Sequence, residues 1–316
     1  MGLSRKSGNG QVAAPGAGVR GQAQRADALL HAARPHRTLW RDAFNRLVSN
    51  RLALFGALVI LAIGFLAIFA PLIAPQHYAS QDYGAITQSP SRDHPMGTDM
   101  VGRDMLSRMI YGARVSMLVG LGAQVIVLLI GVPIGAIAGY MSGKTDNLLM
   151  RFVDVMYAFP QLLFVILIMS MLGRGLQNIF IAIGITGWVT LARVTRAEFL
   201  SLREHDHVLA ARSIGAGHWR LVTKHMMPNA LSPIIVTITF GIPLAIFTEA
   251  ALSFIGVGIS PPTPSWGGMV GDNQQYLRSY WFLATFPAIA IALVMMAFTF
   301  FGDGLRDALD PRSGKK

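Results

Sequence analysis

Residues 115–142 read VSMLVGLGAQVIVLLIGVPIGAIAGYMS and contain no Asp, Glu, Lys or Arg. An α-helix needs about 20 apolar residues to cross roughly 30 Å of hydrocarbon, so this stretch is long enough to span a bilayer. The whole chain is 53% hydrophobic and 14% charged, with a mean hydropathy of +0.47, whereas a typical soluble chain carries about 25% charged residues. The sequence therefore predicts an all-α polytopic membrane protein.

Five further apolar stretches of comparable length accompany this one. The six predicted membrane spans cover residues 52–75, 115–142, 155–173, 175–192, 233–259 and 281–302. Cytoplasmic loops of membrane proteins carry an excess of Lys and Arg, and this excess sets the orientation of the chain. Of the 27 Lys and Arg residues, 21 fall on the side that holds both termini. We therefore expect both termini to be cytoplasmic.

The segments outside the spans are expected to have simple roles. Residues 1–36 are predicted to form a disordered basic cytoplasmic tail, and residues 303–316 a second cytoplasmic tail. Between the first tail and the first span, residues 37–51 place Phe44, Leu47 and Val48 on one helical face. That pattern predicts an interfacial amphipathic helix in the headgroup layer, with a polar lead-in to the first span as the alternative.

Two features inside the spans indicate close packing and a polar position. Gly131, Gly135 and Gly139 form a small-residue ridge along the second span, and such ridges let helix backbones approach closely. Glu249 is the one acid well inside a span. Because a charge near the bilayer midplane is costly, its side chain is expected to face the bundle interior or a water-filled path. Its role is either in a pathway or in an interhelical hydrogen bond that fixes packing.

Other signals in the chain do not support catalysis or cofactor binding. Gly143-Lys144-Thr145 matches the end of a phosphate-binding loop, but the glycine required five residues before Gly143 is Ala138. No histidine spacing matches a zinc site, no span carries a nucleophile with its base, and the chain has no Cys. The net charge of +11 comes without the aromatic-interleaved basic stripe of a nucleic-acid binder. We expect no catalytic residue, no bound metal and no nucleic-acid partner.

The predicted cytoplasmic loop at 193–232 is longer than a simple connection requires. Residues 208–213 are compatible with a helix, Gly215-Ala216-Gly217 is expected to end it, and residues 218–227 can form a second helix before Pro228. The loop therefore predicts a helix-turn-helix on the cytoplasmic face, suited to press into a groove of a soluble partner.

The sequence of this loop resembles the EAA loop of bacterial ABC importer permeases. Leu209-Ala210-Ala211, Gly215, His225 and Met227-Pro228 have the spacing of that motif. The chain is also similar, over about residues 40–312, to the branch that imports dipeptides, oligopeptides and nickel. The stretches that carry this second resemblance are HPMGTD at 94–99, GRD at 102–104, AAR at 210–212, HMMPN at 225–229, EAALSFIG at 249–256, PSWG at 264–267, GDGLRD at 302–307 and DPR at 310–312.

The resemblance implies an ABC type I importer permease fold in the bacterial inner membrane. Similar importers contain two permease subunits, two cytoplasmic ABC ATPases and an extracytoplasmic solute-binding protein. This chain would be one permease subunit, paired with a permease that is expected to be a different chain. ATP and Mg²⁺ would bind to the ATPases, so the chain itself is expected to hold no cofactor and not to be an enzyme.

The same resemblance assigns roles to particular residues. The residues expected to couple the permease to the ATPases are Leu209, Ala210, Ala211, Arg212, Gly215, Gly217, Pro228 and Asn229. The residues expected along the substrate pathway are Glu249, Ser253, Gly256 and Gly258. Leu209 stands where the general loop pattern has Glu, so an ion pair from position 209 to the ATPase is excluded. A second departure is His225, which stands where the pattern has Ile.

The expected cargo is a short peptide, a dipeptide or an oligopeptide. A nickel complex is the alternative within the same branch, since these residues do not separate the two substrates. A proton-coupled secondary transporter that uses Glu249 is a further alternative, although such proteins usually contain internal repeats and no repeat is evident here.

Overall fold

A computed structural model describes residues 39–309. The predicted tail at 1–36 and residues 310–316 of the predicted C-terminal tail lie outside the described residues. Within the described range the protein is helical, and its one β-type contact is an isolated bridge between Thr98 and Asp104. Residues 43–309 lie within one compact unit. The all-α prediction is thus confirmed.

Twelve helices follow one another along the described chain. They are α1 (Leu39–Ser49), α2 (Arg51–Ile68), α3 (Ala70–Ile73), α4 (Met105–Met141), α5 (Gly143–Ala158), α6 (Gln161–Leu172), α7 (Leu176–Arg203), α8 (Asp206–Ser213), α9 (His218–Arg220), α10 (Met227–Phe254), α11 (Trp266–Asn273) and α12 (Phe282–Leu309). A π-helical stretch, Leu221–Met226, joins α9 to α10, so helical backbone runs from His218 to Phe254. Five helical stretches are long and apolar enough to cross a membrane: α2, α4, α7, His218–Phe254 and α12.

The third predicted span, residues 155–173, is not one straight helix. The chain bends by 86° between α5 and α6, at Phe159, which is extended with ψ 131°, and Pro160, which precedes the first residue of α6. Proline disfavours helical backbone in the residue before it and lacks an N–H to continue the helix. With its 12 residues, α6 is about 18 Å long, too short to span a bilayer alone.

Several helices extend beyond the predicted spans. The structure begins α4 at Met105 rather than at residue 115, ends α7 at Arg203 rather than at 192, and ends α12 at Leu309 rather than at 302. Charge-free stretches locate the hydrocarbon-facing part of a helix, but Arg and Lys near its ends can reach the headgroups without ending it. Much of the predicted 193–232 loop is therefore the end of α7 and the beginning of the helix that continues into α10.

The glycine ridge of α4 packs directly against α7, as the sequence predicts. A Cβ at Gly131 would lie 2.9 Å from the Trp188 carbonyl oxygen, and one at Gly139 would lie 2.6 Å from the Arg196 carbonyl oxygen. Between them, Gly135 faces the backbone around Ala192 and Arg196. Because each glycine meets backbone rather than a movable side chain, the two helices are held at a separation that no larger residue permits.

Two ion pairs hold α5 against α7 at the end of the bundle nearest α8. Arg196 makes a bidentate contact with Asp146, at 2.5 and 2.6 Å. One turn earlier, Arg193 Nη2 lies 2.6 Å from Asp154 Oδ1, and its guanidinium carbon lies 4.1 Å from the centre of the Tyr157 ring. Paired guanidinium and carboxylate groups of this geometry fix orientation as well as distance.

The segment between α3 and α4 is closed by buried polar contacts. His94 Nδ1 lies 3.0 Å from Asp104 Oδ1, while the other oxygen of Asp104 accepts from the Ser107 N–H at 2.7 Å and so caps α4. Asp99 accepts backbone hydrogen bonds from Val101 and Arg103 at 3.0 and 2.9 Å. The stretches at 94–99 and 102–104 therefore form turns that anchor this segment to the beginning of α4.

Candidate functional site

The connection formed by α8, the turn at 214–217 and α9 is fixed to the bundle through one buried face. Val208 and Ala211 of α8 and Leu221 and Met226 of the π-helical stretch are buried. They join a core cluster that contains Phe199 and other residues of α4, α5, α7 and α10. Packing of this kind transmits displacement, because a close-packed apolar cluster cannot deform freely. A movement of α8 would therefore be carried into α7 and α10.

The outer side of this connection is open to solvent around its two glycines. Gly215 has φ +87°, a left-handed conformation that other residues adopt at a cost. Its N–H donates to the Arg212 carbonyl at 3.0 Å, and the Ala216 N–H donates to the Ala211 carbonyl at 3.1 Å, an arrangement that ends α8. A Cβ at Gly215 or Gly217 would have no neighbour within 4 Å.

Most residues predicted from the EAA-like pattern are exposed, although Arg212 and Asn229 each line a cavity. The exposed members are Leu209, Ala210, Arg212, Gly215, Gly217, Pro228 and Asn229. Ala211 differs, because it is 6% exposed and faces the core cluster. The Asn229 side chain donates to the His225 carbonyl at 2.6 Å, across the point where the π-helical stretch passes into α10.

Sequence reasoning missed Ile214, the most prominent apolar residue of this surface. Ile214 is 86% exposed and stands directly before Gly215. A large aliphatic side chain held at the tip of an exposed turn is typical of an anchor for a partner protein. In the sequence, the signal that could have identified Ile214 is its position between the predicted end of a helix and Gly215.

A cavity of about 720 Å³ opens between α4, α6, α7, α10 and α12. Its wall contains Gln124, Gln161, Thr190 and Thr237, together with aliphatic side chains. The charged residues in its described wall are Glu198 and Arg306, which come from the helix ends nearest α8. The cavity thus has an uncharged, mostly apolar interior with several amide and hydroxyl groups, and its charged residues lie toward one end of the bundle.

Glu249 lies outside the wall of this cavity. Its side chain is fully buried, and Oε1 accepts a hydrogen bond from the Ser253 hydroxyl at 2.7 Å. The Ser265 hydroxyl lies 3.5 Å from that of Ser253. Oε2 has no hydrogen-bond partner among the described residues. Ser253 lies one turn after Glu249 on the same helix, so this hydrogen bond is intrahelical, and both roles considered for Glu249 stay predictions.

The other residues predicted for the pathway surround the junction of α10 with α11 rather than the cavity. Gly258 lies so close to Ser253 that a Cβ at Gly258 would overlap the Ser253 hydroxyl, whereas Gly256, at φ +81°, has open space around it. Gly267 of α11 lies against the backbone of Ala250. These contacts pack α11 onto the end of α10.

The described residues offer no group of three or more His, Asp or Glu side chains that could hold a metal ion. Gly143, the residue that suggested a phosphate-binding loop, begins α5 with φ +63°. The two features of the site are an exposed turn after α8 and a cavity with an uncharged interior.

Comparison with known protein families gives two matches. The family model of the binding-protein-dependent transport system inner membrane component matches residues 131–315. The family model of the N-terminal transmembrane domain of oligopeptide transport permease C matches residues 38–90. Together they include α1, α2, the glycine ridge, the α8–α9 connection and α12.

Curated relatives align with most of the chain. The oligopeptide transport system permease protein OppC of Bacillus subtilis (strain 168) is 45% identical over 278 residues, which are 88% of this chain and 91% of that protein. The dipeptide transport system permease protein DppC of the same organism is 42% identical, over 88% of each chain. The glutathione transport system permease protein GsiD of Escherichia coli O6:K15:H31 is 39% identical, over 87% and 91%.

A solved structure of similar fold is the MetNI methionine ABC transporter in an inward-facing conformation. One of its chains superimposes with a TM-score of 0.54 at 17% identity, covering 65% of this chain and 98% of that chain. A second crystal form gives the same TM-score at 16% identity.

Proposed function

The chain belongs to the family of binding-protein-dependent transport system inner membrane components, and we propose that it is one permease subunit of an ATP-driven importer of short peptides. It is a multi-pass permease of the bacterial inner membrane with the ABC type I fold. The support for a peptide cargo is that relatives covering most of the chain are permeases of oligopeptide, dipeptide and glutathione transport systems. Glutathione is itself a tripeptide, so we favour peptides over a nickel complex.

The observation that carries this proposal is the α8–α9 connection, buried on one side and open on the other. We assign to it the docking of a cytoplasmic ATPase, with Leu209, Ala210, Ile214, Gly215 and Gly217 in the docking surface. Ala211 supports this surface from the core side. The excess of Lys and Arg on this side of the chain supports its cytoplasmic position.

Transport in this proposal is a shift between two states of the bundle. ATP binding would draw two ATPases together, and the buried face of α8 would carry that movement to α7 and α10. To move a two-state equilibrium from 1:99 to 99:1, a ligand must bind one state about 5.5 kcal/mol more tightly than the other. The docking surface must therefore bind firmly, which a single flexible loop would not achieve.

The cavity between α4, α7 and α10 is the part of the chain that we assign to the cargo path. Its wall contains amide and hydroxyl groups, and its two charged residues lie toward the α8 end. A second permease subunit, expected to be a different chain, would supply the remainder of the path, and an extracytoplasmic binding protein would deliver the peptide. The assignment of Glu249, Ser253, Gly256 and Gly258 to the path remains a prediction, for which the buried setting of Glu249 gives no support.

The test compares two glycines that share backbone geometry but not position. Gly215 and Gly143 both have positive φ, and a Cβ added at either would meet no atom within 4 Å. Leu at either position therefore introduces a similar backbone strain of about 1–2 kcal/mol. We expect Gly215→Leu to abolish uptake of a radiolabelled dipeptide by the assembled importer. Gly143→Leu, outside the docking surface, is expected to retain uptake.

Both variants must first be shown to insert in the membrane at equal amounts. Wild-type uptake by Gly215→Leu would contradict the docking assignment. Equal loss of uptake in both variants would show that backbone strain, and not the docking surface, controls activity.

A further inference from the structure

A second cavity, of about 870 Å³, lies beside the α8–α9 connection and is separate from the proposed cargo path. Its apolar wall is formed by Ala136, Ile137 and Met141 at the end of α4, and by Val222 of the π-helical stretch. The remaining wall carries polar and aromatic groups from the end of α7, from α8 and from α9. The cavity therefore joins an apolar surface to a polar one, as the headgroup boundary of a bilayer does.

The apolar wall continues an exposed stripe along α4. This stripe consists of Leu118, Leu121, Val125, Leu129, Ile137 and Met141, all large and exposed. With 3.6 residues per turn these positions wind around α4, and Ile137 and Met141, four residues apart, share the side that lines the cavity. At its end, Trp219 is 80% exposed, and Trp is enriched at the membrane–water interface because its ring is amphipathic. An acyl chain lying along the stripe would place its headgroup in the cavity.

The polar wall carries more positive than negative charge. Arg212 lines the cavity and makes no ion pair with any residue between 39 and 309. Arg203 Nε lies 3.0 Å from Glu204 Oε1, but the Glu204 side chain is largely exposed. His218 Nδ1 lies 2.6 Å from the Tyr140 hydroxyl, in hydrogen-bonding contact. Two guanidinium groups, an imidazole and the Glu204 carboxylate thus line the same space, and of these Arg212 has no ion-pair partner among the described residues.

We propose that this cavity binds the headgroup of an anionic phospholipid, with Arg203, Arg212 and His218 facing the phosphate and Tyr140 and Trp219 lining the headgroup. The acyl chains lie along Ile137 and Met141. A lipid bound here contacts α8 directly through Arg212, so it stiffens the connection from its membrane side while the opposite side stays open. The site differs in place and in chemistry from the cargo cavity.

The test uses the complete importer in nanodiscs with a photoreactive lipid carrying its label at the headgroup. The probes are phosphatidylglycerol and phosphatidylcholine, compared at equal content, with labelling mapped to the peptides that contain residues 136–141 and 218–222. Each Arg near a membrane surface contributes about fivefold to binding of anionic lipid. We expect phosphatidylglycerol to label these peptides preferentially, Arg212→Gln to lower that labelling about fivefold, and Arg212→Lys to retain most of it.

The matched control is Arg220→Gln, which removes the same charge from an exposed position outside the cavity wall. Its effect is expected to be less than about twofold, because an exposed charge outside the site is screened by salt. Equal labelling by the two lipids, or equal loss in Arg212→Gln and Arg220→Gln, would overturn the proposal. Labelling that appears after removal of the ATPases but is absent from the complete importer would overturn it too, by showing that the cavity is covered by protein.

Discussion

The contact between α4 and α7 can be tested by replacing the central glycine of the ridge, in the variant Gly135→Leu. A Cβ at this position would lie 2.7 Å from Thr195 Cβ and 3.0 Å from the Arg196 backbone nitrogen, and it would overlap the Ala192 carbonyl oxygen. Backbone atoms cannot rotate away as a side chain can, so the two helices must separate. The perturbation therefore acts on the whole interface rather than on one contact.

The size of the effect follows from two opposing contributions. Overpacking of a close-packed core costs about 1–3 kcal/mol, and a collision with backbone belongs at the upper end of that range. Leu forms a helix about 0.8 kcal/mol more favourably than Gly. The expected net loss is about 2 kcal/mol of unfolding free energy. The same exchange at Gly64 of α2, where a Cβ meets nothing within 4 Å, keeps the propensity gain without the overlap.

The assay is reversible unfolding of the purified chain in mixed micelles, followed as the fraction of denaturing detergent increases. Because helix propensity cancels between Gly135→Leu and Gly64→Leu, their difference measures packing alone, and we expect about 3 kcal/mol. Unfolding free energies that agree within about 0.5 kcal/mol would refute the proposed role of the ridge.

Two further predictions concern the interior of the bundle. Thr237→Trp narrows the cargo cavity and is expected to lower peptide uptake by an order of magnitude. Leu61→Trp, on the exposed face of α2, is expected to leave uptake unchanged, and equal uptake by the two variants would remove the cavity from the path. Glu249→Gln keeps an oxygen that accepts from Ser253, so uptake is expected to stay near wild type at every external pH. Glu249→Leu removes that acceptor, so the variant is expected to lose about 1–3 kcal/mol of unfolding free energy. A pH-dependent loss of uptake in Glu249→Gln would instead return Glu249 to the path.

The sequence predicts those features of the fold that depend on a residue and its near neighbours along the chain. Charge-free stretches predict the membrane-spanning helices because the cost of a charge in hydrocarbon depends on the residue itself. The spacing of Gly131, Gly135 and Gly139 predicts a close helix contact because small residues at four-residue intervals share one face. The turn at Gly215 follows similarly, since its φ of +87° is one that glycine adopts readily.

Features that depend on tertiary packing were harder to predict from the sequence. Pro160 is visible in the sequence, but whether it kinks a span or turns the chain by 86° is decided by what α5 and α6 pack against. Ala211 belongs to a recognisable motif, yet its burial depends on Val153, Phe199 and their neighbours. Glu249 stands out as an intramembrane acid, and its i,i+4 contact with Ser253 is local, but its burial and its separation from the cargo cavity are set by how α10 packs in the bundle.

The central claim is that the exposed turn after α8 is the surface through which an ATPase drives the bundle. Its most direct test places a photo-crosslinking amino acid at Ile214, which is 86% exposed at that turn, and the same group at Leu148 of α5, which is 72% exposed. We expect position 214 to capture an ATPase subunit in intact membranes, with a yield that changes when ATP is added, and position 148 to capture none. Capture of no ATPase from position 214, or equal capture from both positions, would contradict it.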